Sequence, residues 1–200
     1  LQRLHGAPPA APGARRVNAG GDDDTLRLFV ACDLPDETRR AVEAWQHRAL
    51  EGHKGLRLNH ALHITLAFLG KVAAARVPEL TEALSQVLVQ RCEVAVAEPV
   101  FLPVRGAKRV VALQLADRDG ELARLQADVA AALAGAGLFE ARGRPWLPHL
   151  TVARFRRSCQ PFPLQNVNIP QFCVVRVVLY SSLLERAGAV HTPLAVFPAS

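Results

Sequence analysis

Two hundred residues, half of them hydrophobic, can bury a sizeable core and fit one domain or one domain of two lobes. No apolar run reaches the roughly 18 residues that a membrane-spanning helix needs, and Arg3 is followed by Pro-, Ala- and Gly-rich sequence instead of the apolar stretch of a secretory signal. The net charge of +6 falls on the folded part, because Arg3, Arg15 and Arg16 cancel Asp22, Asp23 and Asp24, and it favours a polyanionic partner, nucleic acid first.

Residues 1–24 are rich in Pro, Gly and Ala and end in Gly20-Gly21-Asp22-Asp23-Asp24; they read as a flexible extension. Residues 25–200 read as a single bilobal domain. Residues 26–31 form a buried strand. Asp33-Leu34-Pro35-Asp36-Glu37 opens a helix with a capping carboxylate, an early proline and acidic first-turn residues. This helix runs to about Leu50, with Val42, Trp45 and Ala49 on its apolar side. Residues 56–58 make a short strand, and a longer strand over 62–69 closes at Gly70. Apolar spacing predicts a helix over 75–90, through Val77, Leu80, Leu84, Val87 and Leu88.

Residues 94–96 and 100–104 are strand-like. A basic turn, Arg105-Gly106-Ala107-Lys108, precedes a strand over 109–115. Residues 117–134 read as a helix with Leu122, Leu125, Val129 and Leu133 on one face, stopped by Gly135 and Gly137. The segment 142–148 leads into a strand over 149–155, followed by a loop over 156–165. A strand over 172–180, a connection over 181–188 and a short strand over 194–197 complete the chain. This mixed order predicts an α+β fold with largely antiparallel sheets.

Two runs in this series match. Leu62-His63-Ile64-Thr65-Leu66 and Pro148-His149-Leu150-Thr151-Val152 each place a histidine and a threonine two residues apart between apolar neighbours. In a strand, His63 and Thr65 share one face and Leu62, Ile64 and Leu66 the other; His149 and Thr151 are set likewise against Leu150 and Val152. The apolar sides belong to a core and the His/Thr sides to a cleft. Histidine ionises nearest neutral pH, so two imidazoles at one reacting atom can serve as base and acid. Threonine hydroxyls beside them can hydrogen-bond an anionic oxygen. The set suits a phosphodiester and needs no metal. Each motif follows a helix in its half of the chain, which predicts two pseudo-twofold-related lobes, helices outside, with the His/Thr strands facing a central cleft.

These residues resemble the 2H phosphoesterases, and within them the RNA 2′,3′-cyclic phosphodiesterases, also called 2′-5′ RNA ligases. The similarity rests on the two His/Thr runs extended to Gly70 and Arg154, on Arg27-Leu28-Phe29-Val30-Ala31, on Leu179-Tyr180-Ser181-Ser182, and on Gly188-Ala189-Val190 with Thr192-Pro193-Leu194. It covers about residues 25–198. His191 departs from it, standing where the family often has Tyr, and so does the segment Asn59-His60-Ala61. The resemblance implies hydrolysis of an RNA 2′,3′-cyclic phosphate end to a 2′-phosphate. His63 would be the proton donor to the departing 3′-oxygen, His149 the proton acceptor from water, and Thr65 and Thr151 the phosphate-binding hydroxyls.

Other residues are weighed beside these. Arg154 recurs in the family and is a possible substrate contact, although its odd spacing from Thr151 turns it away from the cleft unless the strand bends. Phe29 and Phe68 are possible base-stacking contacts, or core residues. His53, His60 and His63 tempt a metal reading, but no Asp or Glu cluster completes a site. The expectation is no metal and no cofactor. Cys32, Cys92, Cys159 and Cys173 show no zinc or C-x-x-C spacing, which points to reduced thiols and a cytoplasmic location. No P-loop accompanies the motifs, so any 2′-5′ ligation would be cleavage run backwards. The expected protein is a monomer whose partner is RNA with a 2′,3′-cyclic phosphate end, with no membrane partner. The alternatives are a phosphodiesterase for small cyclic nucleotides or 2′-5′ oligonucleotides, and a non-catalytic RNA-binding module.

Overall fold

A computed structural model describes residues 24–140, 145–185 and 188–199. All but the last residue of the extension expected over residues 1–24, and the start of the 142–148 lead-in, fall outside them. The chain runs β1 (Thr25–Asp33), α1 (Asp36–Leu50), β2 (Leu56–Leu58), β3 (His63–Ala73), α2 (Val77–Ser85), β4 (Cys92–Leu102), β5 (Lys108–Ala116), α3 (Glu121–Gly135), β6 (His149–Cys159), β7 (Phe172–Val174), β8 (Arg176–Glu185) and β9 (Gly188–Pro198). The fold is α+β. A single curled sheet is ordered β7-β4-β5-β6-β3-β1-β8-β9, with β2 added along β6, and its pairs are antiparallel.

The two lobes are halves of this sheet. β1, α1 and β3 in one half match β5, α3 and β6 in the other. The halves meet at the β3–β6 seam through one bridge pair, Ile64 opposite Leu150. Ile64, Leu66, Leu150 and Val152 are all but sealed from solvent and join one core with Val42 and Trp45 of α1, Leu80 and Leu84 of α2, and Leu122, Val129 and Leu133 of α3. Each main helix reaches across the seam: α1 packs on β6 and β2, and α3 on β3 as well as on β4 of its own half. Among the described residues no helix is long and apolar enough to cross a membrane.

Several boundaries differ from the periodicity reading. The predicted 75–90 helix ends at Ser85, and Leu88 beyond it is 64% exposed. The two strand-like pieces over 94–104 are one strand, β4, with a register slip between Val96 and Glu98. Residues 156–159 extend β6 and are not loop. The 172–180 strand breaks at Val175 into β7 and β8. The 181–188 connection is mostly strand: β8 continues to Glu185 and forms a hairpin with β9, which starts at Gly188 instead of Leu194. Exposed apolar side chains on this hairpin, Leu183, Leu184 and Val190 among them, blur the alternation that marks a half-buried strand. Gly70 does not end β3. Its φ of +75° is a conformation glycine adopts without steric cost, and it carries the strand past a slip where Leu28 faces Gly70 and Phe29 faces Phe68.

Candidate active site

The seam brings the two motifs together. Extending the antiparallel Ile64–Leu150 bridge by one residue each way sets His63 beside Thr151 and His149 beside Thr65. Ile64 and Leu150 point into the core, so all four polar side chains occupy the opposite face, and each is half-buried. His63 and His149 are diagonal neighbours there, a relation that sets residues about 7–8 Å apart with their Cβ atoms somewhat closer.

The local backbone is the same on both sides. His63 Nδ1 lies 2.8 Å from the carbonyl of Ala61, and His149 Nδ1 lies 2.8 Å from that of Leu147. A carbonyl only accepts, so Nδ1 carries the hydrogen in both rings and Nε2 is left for chemistry. The carbonyl of Thr65 accepts from Trp146 Nε1 at 3.1 Å, and that of Thr151 from Asn59 Nδ2 at 2.7 Å. Behind them, Gln46 of α1 donates to the Val152 carbonyl at 2.6 Å, and Gln126 of α3 to the Leu66 carbonyl at 3.2 Å. The residue before each motif and the helix of the other half therefore fix each strand.

A bulge follows each threonine. On β3, Thr65 faces Ala31 and Ala67 faces Val30, leaving Leu66 as an extra residue. On β6, Thr151 faces Ala112 and Ala153 faces Val111, with Val152 extra. One inserted residue reverses the alternation beyond it. Phe68 and Arg154, three residues past the threonines, thus turn to the cleft face. This bend is the condition that odd spacing alone left open for Arg154.

The cleft encloses about 700 Å³, and its walls include Arg27, Phe29, Arg57, His63, Thr65, Phe68, Arg154 and His191. His149 and Thr151 stand outside these walls, across the seam on the same face of the sheet. Phe68 is 43% exposed, and the Arg27 guanidinium lies 4.6 Å over its ring. Phe29 is only 3% exposed and is packed against His63 at 4.8 Å between ring centres, so it backs the histidine and presents no open face for a base. His53 stacks on Phe162 at 4.1 Å, apart from His60 and His63, which line the cleft. Among the described residues no three His, Cys, Asp or Glu side chains come together as a metal-ligand set. Lys108 of the basic turn folds back onto the carbonyls of Pro103 and Val104.

A family model described as the 2′-5′ RNA ligase superfamily matches residues 34–166. The chain belongs to this superfamily. Among superfamily relatives, an Escherichia coli K12 protein named RNA 2′,3′-cyclic phosphodiesterase is 32% identical over 176 residues, covering 84% of this chain and 93% of its own. An Archaeoglobus fulgidus protein of the same name is 34% identical over 135 residues, covering 66% and 74%. The fold matches the crystal structure of TT0787 of Thermus thermophilus with a TM-score of 0.73, at 26% identity over 86% of this chain and 97% of that one. It matches E. coli LigT complexed with 3′-AMP with a TM-score of 0.71, at 27% identity over 88% and 99%.

Asp33 and His191 lie beside His63 in ways the sequence did not show. Asp33, opposite His63 in the β1–β3 register, accepts from Tyr180 Oη at 2.5 Å and pairs with Arg176 at 2.8 Å. Burial and this bond push the Tyr180 phenol well above its ordinary ionisation. His191, marked in the sequence only as a departure from the family, reaches the cleft from β9 and meets the His63 ring edge-on at 5.3 Å. Only the long-range pairing of β9 with β8 puts it there. Burial, and then the neighbouring His191, lower His63 from its ordinary 6.5 to about 4, against opposing pulls from the Ala61 carbonyl and Asp33, with Arg154 adding the least. Burial, Arg27 and Arg154 lower His191 as well.

Proposed function

We propose that this protein hydrolyses the 2′,3′-cyclic phosphate at RNA ends to a 2′-phosphate by paired histidine catalysis. The observation that carries this reading is the seam itself: two His/Thr pairs, distant in the chain, placed side by side on one polar face by the Ile64–Leu150 bridge. The names of its superfamily relatives support the substrate class. His149 Nε2 takes a proton from water as the water's oxygen attacks phosphorus. The bond from phosphorus to the 3′-oxygen breaks on the far side, and His63 Nε2–H delivers a proton to that leaving oxygen. Thr65 and Thr151 hydroxyls donate to the non-bridging oxygens, where charge builds in the transition state. Arg154, and Arg27 over Phe68, supply positive charge toward the substrate and its backbone.

Both proton transfers are thereby assigned to side chains of the chain itself, without a metal or cofactor. With a 5′-hydroxyl in place of water, the same steps join a 2′-5′ bond: its oxygen attacks phosphorus, His149 takes its proton, and the 3′-oxygen leaves with a proton from His63. The test is incubation of the full chain with an oligonucleotide ending in a 2′,3′-cyclic phosphate, and separately with a cyclic mononucleotide, in excess chelator. Release of the 2′-phosphate from the oligonucleotide with a bell-shaped pH–rate profile is expected. A 3′-phosphate product reverses the direction assigned to the histidines. No product from the oligonucleotide removes the RNA-end reading. Turnover confined to the mononucleotide transfers the same chemistry to small cyclic nucleotides.

A further inference from the structure

His191 is a third imidazole of the cleft, and the reaction above does not use it. It lies on β9 opposite Ser182 of β8. Its ring meets Phe29 edge-on at 4.8 Å, His63 edge-on at 5.3 Å and Tyr180 at 6.3 Å. Carbonyls fix the tautomers of His63 and His149, but the buried Nδ1 of His191 has no hydrogen-bond partner among the described residues. A polar nitrogen is left there among aromatic rings, in contact with the proposed proton donor.

The charges around the two rings come from every element packed against them. β1 supplies Arg27 and Asp33, β6 supplies Arg154, and β2 with the loop after it supplies Arg57 and His60. β8 supplies Glu185 and the neutral phenol of Tyr180. Asp33 is already engaged by Tyr180 and Arg176. Among the described residues neither Arg27 nor Arg154 is in an ion pair with a carboxylate. The balance at the ring pair is therefore positive. A proton on His191 opposes one on His63, and burial acts the same way. An anion seated among Arg27, Arg154 and the two rings reverses that balance, because opposite charge nearby favours the charged form.

We propose that His191 is a positioning residue for His63: it holds that ring against Phe29 and makes its uptake of a proton wait for an anion in the cleft. This rests on His63 being the proton donor. The empty protein then keeps its donor neutral, and the substrate's own phosphate completes the acid that will act on it.

The test is histidine-labelled NMR of the full chain, titrating His63 with and without saturating inorganic phosphate. The His63 signal is identified by its loss in His63→Gln. Wild type, His191→Phe and His191→Gln are compared. Phosphate is expected to raise the wild-type His63 midpoint by about one pH unit or more. Both variants are expected to raise the midpoint of the free protein by about half a unit or more and to shrink the phosphate-induced rise. An unmoved midpoint in both variants overturns the proposal. A shift in only one overturns it too, since that traces the effect to packing and not to charge. No turnover is measured, so a protein that titrates as expected yet leaves cyclic phosphate intact counts against the hydrolase reading alone.

Discussion

The His63 and His149 strands share a backbone design and differ in what surrounds it. Both rings are held through Nδ1 by the carbonyl two residues earlier, and both strands bulge after the threonine. Behind His63, however, the opposing residue is Asp33 with its Tyr180 and Arg176 partners, and the rings of Phe29 and His191 also crowd the site. Behind His149 the opposing residue is Gln114. The difference teaches that the symmetric part of the site fixes geometry, and under the proposed reaction the asymmetric part would assign roles. Two imidazoles in equal settings would share one affinity for a proton; unequal settings let one give as the other takes.

The largest expected effect comes from removing either ring. His63→Ala and His149→Ala should each lower kcat on a cyclic-phosphate oligonucleotide by about 10²–10⁴-fold while leaving RNA binding largely intact. Single-turnover rates and filter binding measure the two. A loss confined to one variant would break the equivalence of the strands. Next is the pH dependence of stability. His63 is lowered in the folded state, so between pH 6.5 and about 4 the unfolded chain binds this proton first. The contribution is complete above pH 6.5 and drains away as pH falls toward 4, with a limit of about 3 kcal/mol. Urea unfolding across that window should show His63→Gln with a flatter profile than wild type.

A smaller effect is expected from the residues opposite the histidines. Asp33→Ala strands the Tyr180 hydroxyl and the Arg176 charge and should cost about 2 kcal/mol. Gln114→Ala, with no side-chain hydrogen bond seen for Gln114 among the described residues, should cost less than about 1 kcal/mol. Equal costs in denaturant unfolding would remove the asymmetry described above.

Much of this site was legible as period-two alternation. Ile64, Leu66, Leu150 and Val152 declared a buried side, so the facing of His63, Thr65, His149 and Thr151 followed without coordinates. Arg154 was not legible in this way, because the bulge at Val152 is a property of pairing with β5 and not of the residues near it in the chain. His191 was hidden for a related reason. Its place depends on a hairpin whose strands expose apolar side chains, and local pattern reads such a segment as a connection. The helices α1 and α3 were plain from their apolar spacing. α2 was read too long because Val87 packs on the core after the helix has ended.

The crossed glutamines carry a consequence for how this protein is made. Gln46 waits for a carbonyl 106 residues further on, and Gln126 reaches back 60 residues to Leu66. Neither half can complete its own interior when it emerges during synthesis, because each lends its helix to the other. An excised half would bring its histidine but not the wall behind it. The unit of folding is the pair, which is also the smallest unit able to hold a substrate from two sides.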